Sequence, residues 1–205
     1  MSDHFKGWQD GHLPLRTIRL QSPEIPEQEP AEQIKESGEQ VLDIGAIADG
    51  ELLVRDGTDI VGWSGIVPSA RVYNSANISI PNNTVTVLTF NSELLDTDNI
   101  HDTATNPSRL TCKTAGLYAI YGNAQFAAHA TGARSVLIRL NGTTFIAEAV
   151  AGSAGIVQSP PVSTQYPLEV GDYIELAVWQ NSGGSLAVNY VDAYTPVFGM
   201  TRIGA

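Results

Sequence analysis

Short runs of alternating apolar and polar residues fill the last two-thirds of the chain, and the longest run follows Gly116. Side chains of an extended strand alternate with period 2. One face of this predicted strand therefore carries Tyr118, Ile120, Gly122, Ala124 and Phe126. The other face is half apolar, with Leu117, Ala119 and Tyr121 beside two amides. Such a strand belongs in the middle of a sandwich, or between a core and a partner subunit.

The same pattern predicts ten strands from Ala70 onward and no convincing helix. The predicted strands span 70–73, 78–80, 84–90, 109–112, 117–127, 134–141, 144–151, 172–180, 186–190 and 196–203. Asn141-Gly142 is the sharpest turn between them, because both positions tolerate the positive φ of a two-residue hairpin. Short strands at even spacing, separated by Gly, Asn and Pro, are typical of an all-β sandwich or barrel.

One face of these strands must fill a core. The residues that we predict for it are Leu110, Tyr118, Ile120, Phe126, Ile138, Leu140, Ile174, Leu176 and Phe198. Several strands are also apolar on the opposite face, as at Leu137, Ala177 and Trp179. We expect that a single chain does not cover this second face, and the pattern therefore predicts an oligomer.

Residues 50–65 predict a separate β-hairpin that leads into the domain at 66–205. Two β-rich runs, 52–54 and 60–61, flank Asp56-Gly57, which we predict to form the turn. One isolated hairpin is only marginally stable in water. Three copies packed about an axis would bury its apolar residues and form a collar or short stalk.

Residues 1–49 do not have the pattern of a domain. Four prolines and the run SPEIPEQEP favour extended, polyproline-like backbone. Two interpretations remain open, a disordered tail and an extended arm that attaches the chain to another surface. We adopt the attachment arm, whose anchors are its sparse apolar residues Phe5, Trp8, Leu13, Leu15, Ile18 and Leu20.

Composition and charge narrow the class of partner. The chain has 205 residues and a net charge of −11, with ten acidic against four basic residues in 1–50 and twelve against seven in 51–205. Phosphate-backbone binding needs clustered Lys and Arg, so we expect no nucleic-acid partner. No apolar run approaches the roughly 18 residues of a membrane span, so we expect no membrane insertion. The start lacks an apolar signal region, which predicts synthesis and retention in the cytoplasm.

Residues 70–204 resemble the C1q/TNF-like jelly roll, in particular the C1q-like heads of bacteriophage virion proteins. The resemblance rests on the run Leu110-x5-Gly116-x-Tyr118-x-Ile120, on RSVLIRLNG at 134–142, on GDYIEL at 171–176 and on the closing strand FGM at 198–200. In the family pattern phenylalanines stand at the positions of Leu110 and Ile120, and an aromatic residue stands at that of Gly122. The hairpin sequence GELLVRDGT is similar to modules of phage fibre and tail proteins.

The resemblance implies a ten-stranded jelly-roll sandwich that assembles as a homotrimer. It also implies a virion protein made in the host cytoplasm. Its further partners would be capsid, portal, neck or tail proteins, bound through residues 1–49. A host surface glycan or protein is a candidate receptor for the loops 91–106, 128–133, 152–165 and 181–185. A secreted C1q-like binding adaptor is the alternative outside viruses.

Motifs for catalysis are absent, and we predict neither an enzyme nor a cofactor. The sequence lacks Gly-x-Ser-x-Gly, His-Glu-x-x-His, a phosphate loop and any cysteine pair. Two carboxylates that meet in space would suffice for glycan hydrolysis, which we rank below the binding functions. The best metal candidate is the cluster Asp96, Asp98 and Asp102, whose oxygen ligands suit calcium. It lacks the glycine and distal glutamate of a calcium loop, so we favour a solvated acidic loop.

Overall fold

The structure, a computed structural model, describes the backbone of residues 52–56 and 59–63 and both backbone and side chains of residues 65–204. The predicted anchors between Phe5 and Leu20 and the predicted turn residue Gly57 lie outside the described residues. Strands β1 (Leu52–Asp56) and β2 (Asp59–Trp63) form a two-stranded sheet, as predicted for a hairpin, and Asp56 is the last residue of β1.

The remaining thirteen strands build the head, which we describe by itself. They are β3 (Ser69–Tyr73), β4 (Ile78–Ile80), β5 (Thr86–Val87), β6 (Ser92–Asp96), β7 (Arg109–Thr111), β8 (Gly116–Asn123), β9 (Gln125–Phe126), β10 (Ala133–Leu140), β11 (Thr144–Gly152), β12 (Pro161–Leu168), β13 (Tyr173–Gln180), β14 (Leu186–Asn189) and β15 (Val197–Gly204). The described residues contain no helix, and hence none that is long and apolar enough to cross a membrane. The predicted all-β class is confirmed.

These strands form three antiparallel sheets. Sheet I has the order β12-β8-β15-β3-β6, and sheet II has the order β11-β10-β13 with β5 and β7 both paired to β13. Sheet III, with the order β4-β14-β9, is smaller. The hairpin between β10 and β11 turns as predicted. Asn141 and Gly142 have φ values of 49° and 73°, and the Thr143 amide donates to the Leu140 carbonyl at 3.1 Å.

The core lies between sheets I and II. A Cβ built on Gly122 of β8 would overlap the Leu176 side chain of β13, so these two residues meet face to face across the core. The Leu176 side chain thus fills the space at the position where the family pattern places an aromatic residue. Stacked Phe90 and Phe198, with ring centroids 5.8 Å apart, add to the same core.

Eight of the nine residues that we predicted for the core are buried. Ile120 is 1% exposed, and the other seven have no exposed surface: Leu110, Tyr118, Phe126, Ile138, Ile174, Leu176 and Phe198. Leu140, near the end of β10, is only partly buried and packs against the edge of the cluster.

The prediction of loops at 91–106 and 152–165 is wrong in part, because each contains a strand. β6 begins at Ser92, and Leu94 is an extra residue opposite Arg71 and Val72 of its partner β3, so this bulge breaks the alternation that would have revealed β6. β12 begins with Pro161 and contains Pro167, which lack the amide donor of a central strand. An edge strand tolerates prolines, and β12 is the edge of sheet I. The head therefore has thirteen strands where ten were predicted.

Two predicted strands are also shorter than expected. The strand predicted at 117–127 is interrupted at Ala124, so that β8 stays in sheet I and β9 joins sheet III. The strand predicted at 84–90 is reduced to β5, although the Leu88 amide still donates to the Leu176 carbonyl at 2.9 Å.

The expectation that sheet II needs a cover from another chain is wrong at its centre. Leu137 is 7% exposed and Ala177 is 0% exposed within the single chain. These two residues pair across β10 and β13. Side chains alternate along a strand, so Arg139, Glu175 and Trp179 lie next to them on the same face. The single chain therefore covers this pair, and the predicted oligomer gains no support from the centre of sheet II.

Candidate functional site

The predicted aspartate cluster organises a loop. Both carboxylate oxygens of Asp96, at the end of β6, accept backbone hydrogen bonds: Oδ1 from the amides of Asp98 at 3.1 Å and Ile100 at 3.0 Å, and Oδ2 from the amide of His101 at 2.9 Å. This carboxylate therefore closes the turn that follows β6.

The other two aspartates have separate partners. Asp98 accepts a hydrogen bond from the Thr114 hydroxyl at 3.0 Å. Asp102 accepts from the amides of Thr105 at 2.9 Å and Ala104 at 2.8 Å. These backbone hydrogen bonds, with that of Thr105 first, lower the pKa of Asp102. The three carboxylates do not converge, and no group of three His, Cys, Asp or Glu residues within 65–204 is placed to hold a metal ion.

His101 lies under this loop and was missed as a site residue by sequence reasoning. Its side chain has no exposed surface, and its Nδ1 lies 2.8 Å from Glu93 Oε1. Its Nε2 lies 3.2 Å from the Pro107 carbonyl oxygen. The imidazole thus joins the edge strand β6 to the segment that leads into β7. The signal was hidden because β6, which carries Glu93, was not predicted.

A second charged cluster centres on Glu175 of β13, which is 5% exposed. Its Oε2 accepts from Arg139 Nη2 at 2.7 Å and from Arg139 Nε at 3.2 Å, and its Oε1 accepts from the Ser108 hydroxyl at 2.9 Å. Arg109 Nε lies 3.7 Å from the same Oε1, and its guanidinium carbon lies 4.0 Å from the centre of the Tyr173 ring. One buried carboxylate therefore faces two arginines. A lone glutamate in the apolar run YIELAVW was the sequence signal for this cluster.

The two clusters border a cavity of about 600 Å³, which we call the loop cavity. Charged or titratable groups that line it are Glu93, His101, Asp102, Arg109 and Lys113. Hydroxyl and amide groups complete most of the lining, from Thr103, Thr105, Thr111, Asn99 and Asn106. The predicted site residue Asp102 lies on this cavity, whereas Asp96 and Asp98 do not line it.

The open face of sheet I is the second candidate surface. Backbone pairing aligns Ser163, Tyr121, Gly199, Arg71 and Leu95 in one row across all five strands. A Cβ on Gly199 would overlap the Tyr121 ring, so this ring covers the glycine. Burial raises the pKa of Tyr121, and the positive charge of Arg71 opposes the rise. Tyr121 is 37% exposed and Leu95 is 45% exposed.

Two of the predicted surface loops lie together. The Thr131 hydroxyl of the loop 128–133 donates to the Ser182 carbonyl of the loop 181–185 at 3.0 Å. The buried Arg134 guanidinium supports them by donating to the Thr131 carbonyl at 3.0 Å and to the Ala133 carbonyl at 2.9 Å. These hydrogen bonds hold the two loops in contact.

Comparison with known proteins identifies the fold. No protein-family model matches the sequence, and no curated protein matches it significantly. The head is similar to murine APRIL in a crystal structure at pH 5.0, with a TM-score of 0.53 and 12% identity over 67% of this chain and 100% of that one. It is similar to the Eiger TNF from S. frugiperda, with a TM-score of 0.51 and 14% identity over 67% of this chain and 93% of that one.

The globular domain of zebrafish complement 1qA also matches, with a TM-score of 0.47 and 16% identity over 66% of this chain and 97% of that one. APRIL and Eiger carry the assignment, and the predicted TNF/C1q jelly roll is confirmed as the fold. Identities at this level concern the fold alone.

Proposed function

We propose that this protein is a structural appendage of a bacteriophage virion. Residues 1–49 attach it to capsid, portal, neck or tail proteins, residues 50–65 form a collar, and residues 66–205 form a trimeric display head. The observation that carries the proposal is the open face of sheet I, on a head with the TNF/C1q jelly-roll fold.

The open face supplies surface for self-association. Besides Tyr121 and Leu95, it borders Leu94 and Ile203, which are 50% and 48% exposed. Burying apolar area contributes about 25 cal/mol per Å² to the free energy of association. A few such side chains per copy, buried at three interfaces, therefore stabilise a trimer. Arg71 and the small Gly199 give the face a defined shape and charge, which favours one arrangement of copies over nonspecific association.

The support for attachment comes from the sequence. Residues 1–50 carry ten acidic and four basic residues, and the six predicted anchors are the apolar exceptions in the first twenty positions after Met1. An extended acidic segment with a few large apolar side chains suits a groove on a basic or polar protein surface. The head then stands clear of the particle.

Light scattering coupled to size exclusion tests the trimer, and particle binding tests the arm. The full chain should give three times its own mass at micromolar concentration, and a chain without residues 1–45 should give a trimer that no longer joins particles. A monomeric full chain would contradict the trimer. Attachment of the truncated chain with unchanged affinity would contradict the arm.

A receptor-binding head is the second candidate, and the loop cavity favours it because the cavity offers donors to a ligand. Under this version, the truncated trimer should adhere to host cells although it no longer binds particles. Equal adherence to host cells and to unrelated cells would contradict receptor binding and would favour decoration of the particle as the function of the head.

A further inference from the structure

We propose that the loop cavity binds a carboxylate-bearing saccharide, with Lys113 and Arg109 at the carboxylate and the neighbouring threonine and asparagine side chains at the hydroxyl groups. The inference deepens the proposed display function by naming a ligand class for the head. It does not depend on the trimer, because all the residues that form the cavity belong to one chain.

The first observation is that two cations at the cavity hold unused donors. Within residues 65–204, the Lys113 ammonium makes no hydrogen bond or ion pair, and the Arg109 guanidinium donates no hydrogen bond. The Tyr173 ring, 4.0 Å from the guanidinium carbon, restrains Arg109. A restrained guanidinium loses little conformational entropy when it binds a carboxylate through two parallel hydrogen bonds.

The second observation is that the nearby carboxylates are already occupied. Glu93 contacts His101 at 2.8 Å, and Asp102 accepts two backbone hydrogen bonds. Glu175 accepts hydrogen bonds from Nε and Nη2 of Arg139 and from the Ser108 hydroxyl. Among the charged side chains that line the cavity, Lys113 therefore has no hydrogen bond or ion pair within residues 65–204, whereas Arg109 lies 3.7 Å from Glu175, although the whole chain carries −11.

The third observation concerns the neutral lining. The side chains of Asn99, Asn106, Thr103 and Thr111 line the cavity and make no hydrogen bond with any residue of 65–204. Amides and hydroxyls both donate and accept, which matches the hydroxyl groups of a sugar. The cavity volume of about 600 Å³ lies within the usual range for small-molecule sites, and this polar lining disfavours an apolar ligand.

The test is calorimetric titration of the full chain with trigalacturonic acid and with the neutral trisaccharide of galactose. We expect the acidic sugar to bind at least tenfold more tightly, and Lys113→Gln to lower its affinity by at least tenfold, because the ammonium donates a charge-assisted hydrogen bond that the glutamine amide cannot replace. Lys113→Arg should retain most of the affinity. Arg71→Gln is the matched control, because it removes the same charge from sheet I, away from the cavity lining.

Three outcomes would overturn the inference: no binding of either sugar, equal binding of both, or unchanged affinity in Lys113→Gln. Displacement of the acidic sugar by an equal concentration of inorganic phosphate would also overturn it, because the cavity would then be a general anion site. Arg109→Gln is a second variant, whose melting curve separates lost binding from lost folding. The mass of the assembly and its attachment to particles are measured independently. The proposed display function can therefore be contradicted while sugar binding is observed. Sugar binding can likewise be contradicted while the display function is supported.

Discussion

The ring of Tyr121 covers the backbone of Gly199 on the neighbouring strand, and no larger residue fits at that position. A Cβ at 199 would overlap the Tyr121 ring and lie 2.9 Å from the Ala70 carbonyl oxygen. The ring would have to move, and the backbone of β3 would have to shift with it. The pair therefore sets both the shape of the open face of sheet I and the spacing of its central strands.

Gly199→Ala should accordingly destabilise the head and weaken its assembly. Overpacking of this kind costs about 1–3 kcal/mol, and a displaced Tyr121 changes the surface offered to another copy. Chemical denaturation gives the first quantity and light scattering the second. Gly152→Ala is the matched control, because a Cβ there meets no atom within 4 Å. Equal behaviour of the two variants would contradict the role of the pair.

Tyr118 of β8 is both a core residue and a hydrogen-bond donor. It has no exposed surface, and its hydroxyl donates to the Thr114 carbonyl at 2.6 Å. Tyr118→Ala should lower the free energy of unfolding by about 3–5 kcal/mol, because it opens a cavity. Tyr118→Phe should cost about 1 kcal/mol, the net value of one hydrogen bond. A loss below 1 kcal/mol for the alanine variant would be inconsistent with the burial of this face.

The residues that alternate without interruption were predictable from the sequence. Tyr118, Ile120 and Ile138 face the core because period-2 patterning survives along their strands. β12 carries the same alternation in Val162, Tyr166 and Leu168, but its two prolines lack the backbone donor of a central strand. The missing fact was its edge position, where fewer backbone donors need a partner. Edge position follows from the order of strands in the sheet, which no local pattern encodes.

The candidate site was predictable only in part, for a related reason. The sequence identified Asp102 as a loop carboxylate. It does not show which backbone amides donate hydrogen bonds to each aspartate. The contact between Glu93 and His101 depends on the bulged pairing of β6 with β3. Register shifts of one residue reverse the face of every side chain. A contact that depends on such a shift is therefore invisible until the strands are paired.

The lowered pKa of Asp102 predicts acid sensitivity of the loop. A carboxyl whose pKa is depressed on folding stabilises the folded state above its unfolded pKa, and this contribution is lost as the pH falls through the folded value. With an ordinary value of 3.8, the contribution of Asp102 is complete above about pH 5 and declines below it. Asp102→Asn should reduce the fall in melting temperature between pH 5 and pH 2.5, which differential scanning fluorimetry measures. If the melting temperature depends on pH in the same way with Asp102 and with Asn at this position, the two backbone hydrogen bonds do not stabilise the loop.

The pair of Glu93 and His101 should behave as a coupled unit. Nδ1 of the buried imidazole lies 2.8 Å from the carboxylate, so replacing either side chain by one without a hydrogen-bonding group leaves the other without this contact. We expect Glu93→Ala and His101→Leu each to lower the free energy of unfolding by about 1–3 kcal/mol. A double-mutant cycle should give a coupling energy of about 0.5–3 kcal/mol, because the second substitution removes a contact that is already lost. Glu148→Gln, an exposed position on β11, serves as the control for removing one negative charge. Strict additivity of the two single variants would mean that the contact contributes nothing, and that the loop is held by the Asp96 hydrogen bonds alone.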